Sequence, residues 1–186
     1  MSVQIARRHF TVDDFYRMLE AGILTEDDRV ELIDGEIIEM SPIGSRHASC
    51  VMRLNAVLTK RLGDTAIVNV QNPLRLSTRS EPLPDCSLLK PREDFYSRAH
   101  PTPDDVLLVV EVADSSIGYD RHWKVPLYAR ERIVEVWIVD LTTDTIERYS
   151  SPKAGRYAKV EKFGRGQALS AAKVPSLKLG ADDILG

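Results

Sequence analysis

The sequence predicts a mixed α/β domain in which helices flank a central sheet. Three observations predict it. Apolar residues recur at helical spacing over residues 46–62, and a nearly unbroken apolar run, DVLLVVEVA, fills residues 105–113. Short strand-like segments lie around both, in the order helix, strands, helix, strands, helix, strands, which suits a sandwich built on one sheet.

Residues 11–21 read as a short helix. Thr11 is its N-cap, Asp14 answers it three positions on, and Val12, Phe15 and Leu19 form an apolar stripe. In RVELIDGEIIEM, residues 29–40, Asp34-Gly35 separates two short apolar segments. A type I′ turn needs positive φ at both central positions, so the segment reads as a hairpin. The helix over 46–62 carries His47, Cys50, Val51, Leu54, Val57, Leu58 and Leu62 on one side, and Gly63 stands where a helix ends. Strands are expected at 65–70, 73–77 and 84–89, and the proline-rich charged stretch 91–104 reads as a surface loop. The run at 105–113 suggests a central strand covered on both faces. A helix at about 120–131 follows, with Pro126 marking its first turn or a kink. Strands at 134–140, 145–150 and near 157–162 complete the pattern, with Trp137 as a core residue. One domain, residues 1–186, is expected, with its core within about 11–163 and a loosely packed C-terminal tail.

Hydrophobic residues make up 43% of the 186 and charged residues 28%, an ordinary globular balance. The formal net charge of -3 lacks the basic excess of a non-specific nucleic-acid binder, so any such contact must use a local patch. Arg46, Arg53 and Lys60 recur every seven residues along the second helix. They read either as a solvated basic face or as a phosphate-contacting stripe. Cys50 and Cys86 form neither a metal-type pair nor a disulfide framework, and Cys86 reads as a buried thiol. The N-terminal residues lack a signal-peptide core and the apolar runs are too short to span a bilayer, so a cytoplasmic protein without membrane partners is expected. No zinc pattern, nucleophile elbow, P-loop or dinucleotide fingerprint appears, so no organic cofactor is expected.

Glu111 interrupts an otherwise apolar strand. A carboxylate there needs a partner or a metal, unless the strand emerges into solvent at that point. Asp85 opens a strand directly after Pro84, and neighbouring strands could bring the two acids together. Two close carboxylates require a bridging cation or a shared proton, and Mg²⁺ takes one or two protein carboxylates. Asp120, Lys124 and Tyr128 are spaced by four and share a helix face; alone, the first two also read as a surface ion pair.

The stretch EVADSSIGYDRHWKVPLYARERIVEVWIVDL, with PDCSLL before it and VELIDGEIIEM near the start, resembles the bacterial Uma-type family of putative restriction endonucleases, within the PD-(D/E)XK nuclease superfamily. The resemblance covers roughly Thr11 to Tyr157. It implies a restriction-endonuclease-like fold, with a central mixed sheet flanked by helices and an N-terminal hairpin. It implies a metal-dependent endonuclease acting on nucleic acid, foremost DNA, leaving 5′-phosphate and 3′-hydroxyl ends and working as a homodimer. Asp85 and Glu111, with the Val112 carbonyl, would bind Mg²⁺, for which Mn²⁺ could substitute. The motif lysine, expected at 113 where Ala113 stands, is displaced to Lys124 on the next helix. Glu31 would complete the metal site or orient water, or is only a cross-strand surface charge. His47, Asp120 and Tyr128 would surround these groups, His47 reading foremost as a helix-packing or hydrogen-bonded residue. Arg46, Arg53 and Lys60 would contact the nucleic-acid backbone. The alternative is a catalytically inactive member of the fold, a binding or assembly module acting as a homodimer. The net acidity and Ala113 favour it.

Overall fold

The computed structural model describes residues 7–25 and 27–186, so the first six residues of the expected domain lie outside it, as does Glu26. Helix α1 (Val12–Glu20) opens on the expected capping box, in which Thr11 and Asp14 bond each other's backbone N–H groups. Strands β1 (Val30–Ile33) and β2 (Glu36–Glu39) form the hairpin. Its turn has φ of 51° at Asp34 and 82° at Gly35. Only glycine fits the second position, because a Cβ there would lie 2.9 Å from the Phe10 carbonyl oxygen. Helix α2 (Ser45–Leu62) follows, then β3 (Ile67–Val70), β4 (Cys86–Leu89) and β5 (Val106–Ala113). A helical passage comprises α3 (Ile117–Tyr119), a π-helical turn (Asp120–Lys124) and α4 (Val125–Arg130). Strands β6 (Glu135–Asp140), β7 (Thr145–Lys153) and β8 (Arg156–Phe163) complete the main sheet.

That sheet has six strands in chain order, β3-β4-β5-β6-β7-β8. Every pairing is antiparallel except β5 with β6, which the helical passage connects. Along β5 the side chains alternate. Leu108, Val110 and Val112 face α2, whereas Val109 and Ala113 face α4. Helices therefore cover both faces, which is why the strand is apolar without alternation. Glu111 shares the parity of Val109 and Ala113, so it points toward α4. Trp137 is fully buried against the α2 layer. Both thiols are buried, and desolvation pushes Cys86 up to about 12. Among the described residues, no helix is long and apolar enough to cross a membrane.

Three expectations need correction. Residues 73–77 are not a strand: Pro73 has no N–H, and the chain turns back so that Leu74 bonds to Pro82 O and Leu76 to Ser80 O. The helix expected from 120 begins three residues earlier and passes through the π turn. The C-terminal tail is packed, not loose. It forms the hairpin β9 (Ala168–Ala171) and β10 (Val174–Gly180) and the short helix α5 (Ala181–Leu185). Leu169, Val174, Leu177, Leu179 and Ile184 are at most 2% exposed and join the layer around α2. Leu177 and Leu179 carry the period-two pattern of a half-buried strand.

Candidate active site

The site grows from a divergence in the sheet. Strands β4 and β5 pair as far as Cys86 opposite Val110, and one residue further they part. Asp85 stands at the fork. Val112 N–H, no longer needed by β4, donates to Asp85 Oδ2 at 2.9 Å. In a strand the N–H and C=O of one residue point to the same side, so the Val112 carbonyl also faces the fork. Asp85 N–H lies 3.4 Å from Glu111 Oε2, a long contact that brings the two acids together.

Glu111 is 2% exposed, so the strand does not emerge into solvent there. Tyr128 donates to its Oε1 at 2.6 Å and Lys124 Nζ lies 3.2 Å from the same oxygen. Lys124 Nζ also lies 3.2 Å from Glu31 Oε2. Glu31 is buried, not a surface charge: it accepts from Leu83 N–H at 3.0 Å and from Tyr119 Oη at 3.1 Å. Asp120, also buried, accepts from Ser116 Oγ at 2.7 Å. His47 Nε2 is 3.0 Å from Asp85 Oδ2, while its Nδ1 is buried with no hydrogen-bond partner.

Lys124 and Tyr128 stand one α-helical turn apart, so both reach Glu111, and the π turn ends at Lys124. Pro126 has no N–H to offer His122 O, and its ring would crowd that carbonyl in an α-helix. The chain widens instead, and Val125 N–H bonds to Asp120 O five residues back.

These groups line the floor and walls of a cleft of about 780 Å³ beneath the β1–β2 hairpin. Four carboxylates, Glu31, Asp85, Glu111 and Asp120, share one ammonium. Burial pushes Glu111 up to about 8 against the pull of Lys124. Asp120 is likewise raised by burial. At Asp85 burial acts in the same sense but is outweighed by His47, the Val112 N–H and Lys124, so its carboxyl lies below the usual range. Burial disfavours the Lys124 charge, yet the surrounding acids hold its pKa well above normal. The Asp85 hydrogen bond raises His47. A bound cation would offset the crowding of these acids, and the oxygen donors at the fork are of the hard type that Mg²⁺ prefers. Among the described residues, no three His, Cys, Asp or Glu side chains form a closed metal cage. An open site of one or two carboxylates is compatible with that ion.

The basic stripe is dispersed. Arg46 stays at the rim, 4.0 Å from Asp114 and 3.2 Å from Asp144. Arg53 donates to Ile184 O at 2.9 Å and so ties α2 to the C-terminal helix. Lys60 is exposed and does not line the cleft. Two residues escaped the sequence reading. Tyr119 holds Glu31, and Gln71 Nε2 donates to Asp85 Oδ1 at 3.3 Å. Gln71 has φ of 50°, a left-handed conformation that costs a non-glycine residue about 1 kcal/mol.

A comparison with curated proteins found no match. Among solved structures, a putative nuclease belonging to DUF820 from Anabaena variabilis ATCC 29413 aligns with a TM-score of 0.72 at 16% identity, covering 95% of this chain and 97% of that one. At that identity the likeness is one of fold, and the fold is restriction-endonuclease-like. Residues 12–182 match Uma2, described as "Putative restriction endonuclease", and the chain belongs to that family.

Proposed function

We propose that this protein is a metal-dependent nuclease that hydrolyses phosphodiester bonds of DNA at the fork between β4 and β5. The observation that carries the reading is the set of four carboxylates gathered around one buried lysine at the floor of an open cleft.

Asp85, Glu111 and the Val112 carbonyl would hold Mg²⁺, with Mn²⁺ as a substitute. When bound, the ion supplies Lewis acidity: it offsets charge on the phosphoryl oxygens and acidifies the attacking water. The chain's own residues do the rest. His47 and Val112 N–H fix the Asp85 carboxylate. Tyr128 fixes Glu111. Glu31 and Glu111 occupy two of the three N–H donors of Lys124, leaving one for the attacking water or a phosphoryl oxygen. The ammonium offsets charge on the phosphorane-like transition state. Water adds to phosphorus and loses a proton to solvent, the bond to O3′ breaks, and O3′ takes up a proton from solvent, leaving 5′-phosphate and 3′-hydroxyl ends. One site cuts one strand, so cutting both strands of a duplex calls for a second copy. Sedimentation of the DNA-bound protein measures that pairing.

The test compares wild type with Asp85→Asn. Mn²⁺ should raise the melting temperature of the wild type only, because a ligand bound by the native state alone stabilises it. Hydrolysis of labelled DNA should vanish in the variant. An unchanged rate in Asp85→Asn would sink the reading.

A further inference from the structure

We propose that a shallow niche beside the cleft, between α2 and the outer edge of β3, receives one unstacked nucleobase adjoining the phosphate that is cut. The substrate would then be a single strand, or a strand opened at that point. This rests on the nuclease reading above.

The niche has a volume of about 190 Å³. Ile43, Val51, Met52 and Val70 supply apolar walls, and Asn55 and Gln71 supply amides. Pockets for drug-sized ligands run to about 300–1,000 Å³. This one suits a single ring system. It adjoins the cleft, because Ile43 and Gln71 line both. Gln71 links the two chemically as well, since its amide donates to Asp85 while its side chain borders the niche. A base held here would belong to a nucleotide next to the scissile phosphate.

The lining has the composition of a base site. Met52 is 65% exposed and Ile43 41%, apolar surface left facing water at the niche. A thioether is a favourable surface for a flat aromatic ring. Asn55 Oδ1 accepts from Thr59 Oγ1 at 3.2 Å, which directs the Asn55 amide and leaves its N–H donors for a partner. Amides carry the donor and acceptor pair that matches base edges. In a duplex the bases face inward, away from their phosphates. With the candidate catalytic groups buried at the cleft floor, a base can enter the niche only after leaving the stack.

The test uses a short end-labelled single-stranded DNA with Ca²⁺ as the cation, read by fluorescence anisotropy. A series of the same oligonucleotide carries one abasic residue at successive positions. One abasic position should weaken binding to the wild type by about two- to tenfold, the range of a sulfur–aromatic contact. The double variant Met52→Ser/Asn55→Ala should bind the intact oligonucleotide that much more weakly and lose the discrimination. Its Mn²⁺-induced rise in melting temperature, measured with oligonucleotide present, should match the wild type. Equal binding of intact and abasic oligonucleotides at every position would overturn the proposal. So would discrimination retained by the double variant, or no binding of the oligonucleotide at all. A wild type that keeps its Asp85-dependent Mn²⁺ response but ignores abasic positions refutes the niche and spares the nuclease reading. A wild type with no such response refutes both.

Discussion

At Glu111 two neighbours settle one rotamer: the Tyr128 hydroxyl and the Lys124 ammonium both approach Oε1, leaving Oε2 turned toward Asp85. On the proposed reading, in which Glu111 holds the metal, groups that orient a ligand in this way commonly govern metal affinity by 10–100-fold. Tyr128→Phe keeps the buried ring and removes only the donor. It should lower Mn²⁺ affinity by roughly tenfold or more, measured as a shift in the Mn²⁺ dependence of the melting temperature. An unchanged dependence would show that Lys124 alone holds the rotamer. Glu111 was legible in the sequence because charge within an apolar strand demands an explanation, Asp85 as an acid opening a neighbouring strand after Pro84, and Lys124 through its helix-face spacing and the family resemblance. Gln71 and Tyr119 were not. A neutral polar residue after a strand or at a helix start looks like any surface position, and only the approach of a distant carboxylate gives it a role.

The π turn is the element on which the site depends. Spacing by four placed Asp120, Lys124 and Tyr128 on one face, and Pro126 was the visible irregularity. That the helix would widen rather than kink was not readable, because both relieve the same clash. Pro126→Ala supplies the missing N–H and permits an ordinary α-helical turn. Hydrolysis should then fall by at least tenfold as Lys124 rotates from Glu111, on the order of the loss when a catalytic group is misplaced by about an ångström. The melting temperature should hold or rise. A second element-scale feature joins β6 to β7, where Arg121 bonds to Asp140 and to Glu147. Burial raises Glu147, but Arg121 and Tyr149 outweigh it and hold its pKa below normal. Burial likewise raises Asp140, and Thr142 and Thr143 outweigh it. A depressed folded-state pKa gives stability that is present above the unfolded value, near 4, and lost as pH falls through the folded one. Arg121→Gln should therefore move the acid-unfolding midpoint to higher pH. A midpoint that stays in place would assign the acid limb to other groups.

The whole molecule closes through its C-terminal segment. The apolar side of that segment went unread because its strands are short and interrupted by lysines and a proline, which gave the look of a tail. The central sheet, by contrast, was announced by long apolar runs. Ending the chain after Phe163 would remove the large apolar side chains of Leu169, Val174, Leu177, Leu179 and Ile184, each at most 2% exposed. At about 1.5–3 kcal/mol each, their loss approaches the entire stability of about 5–15 kcal/mol expected of a domain. The truncated chain should show no cooperative thermal transition by circular dichroism, and a sharp one would mean that the α2 layer is complete without the segment. The Arg53–Ile184 bond carries a temporal meaning too. It joins residues 131 apart, whereas the neighbours in the main sheet follow one another along the chain. Near contacts form early and distant ones late, since a long loop must close first. The sheet can thus assemble while one side of α2 still waits for its cover. In that interval, before the last loop closes, the molecule is most open to capture by its neighbours.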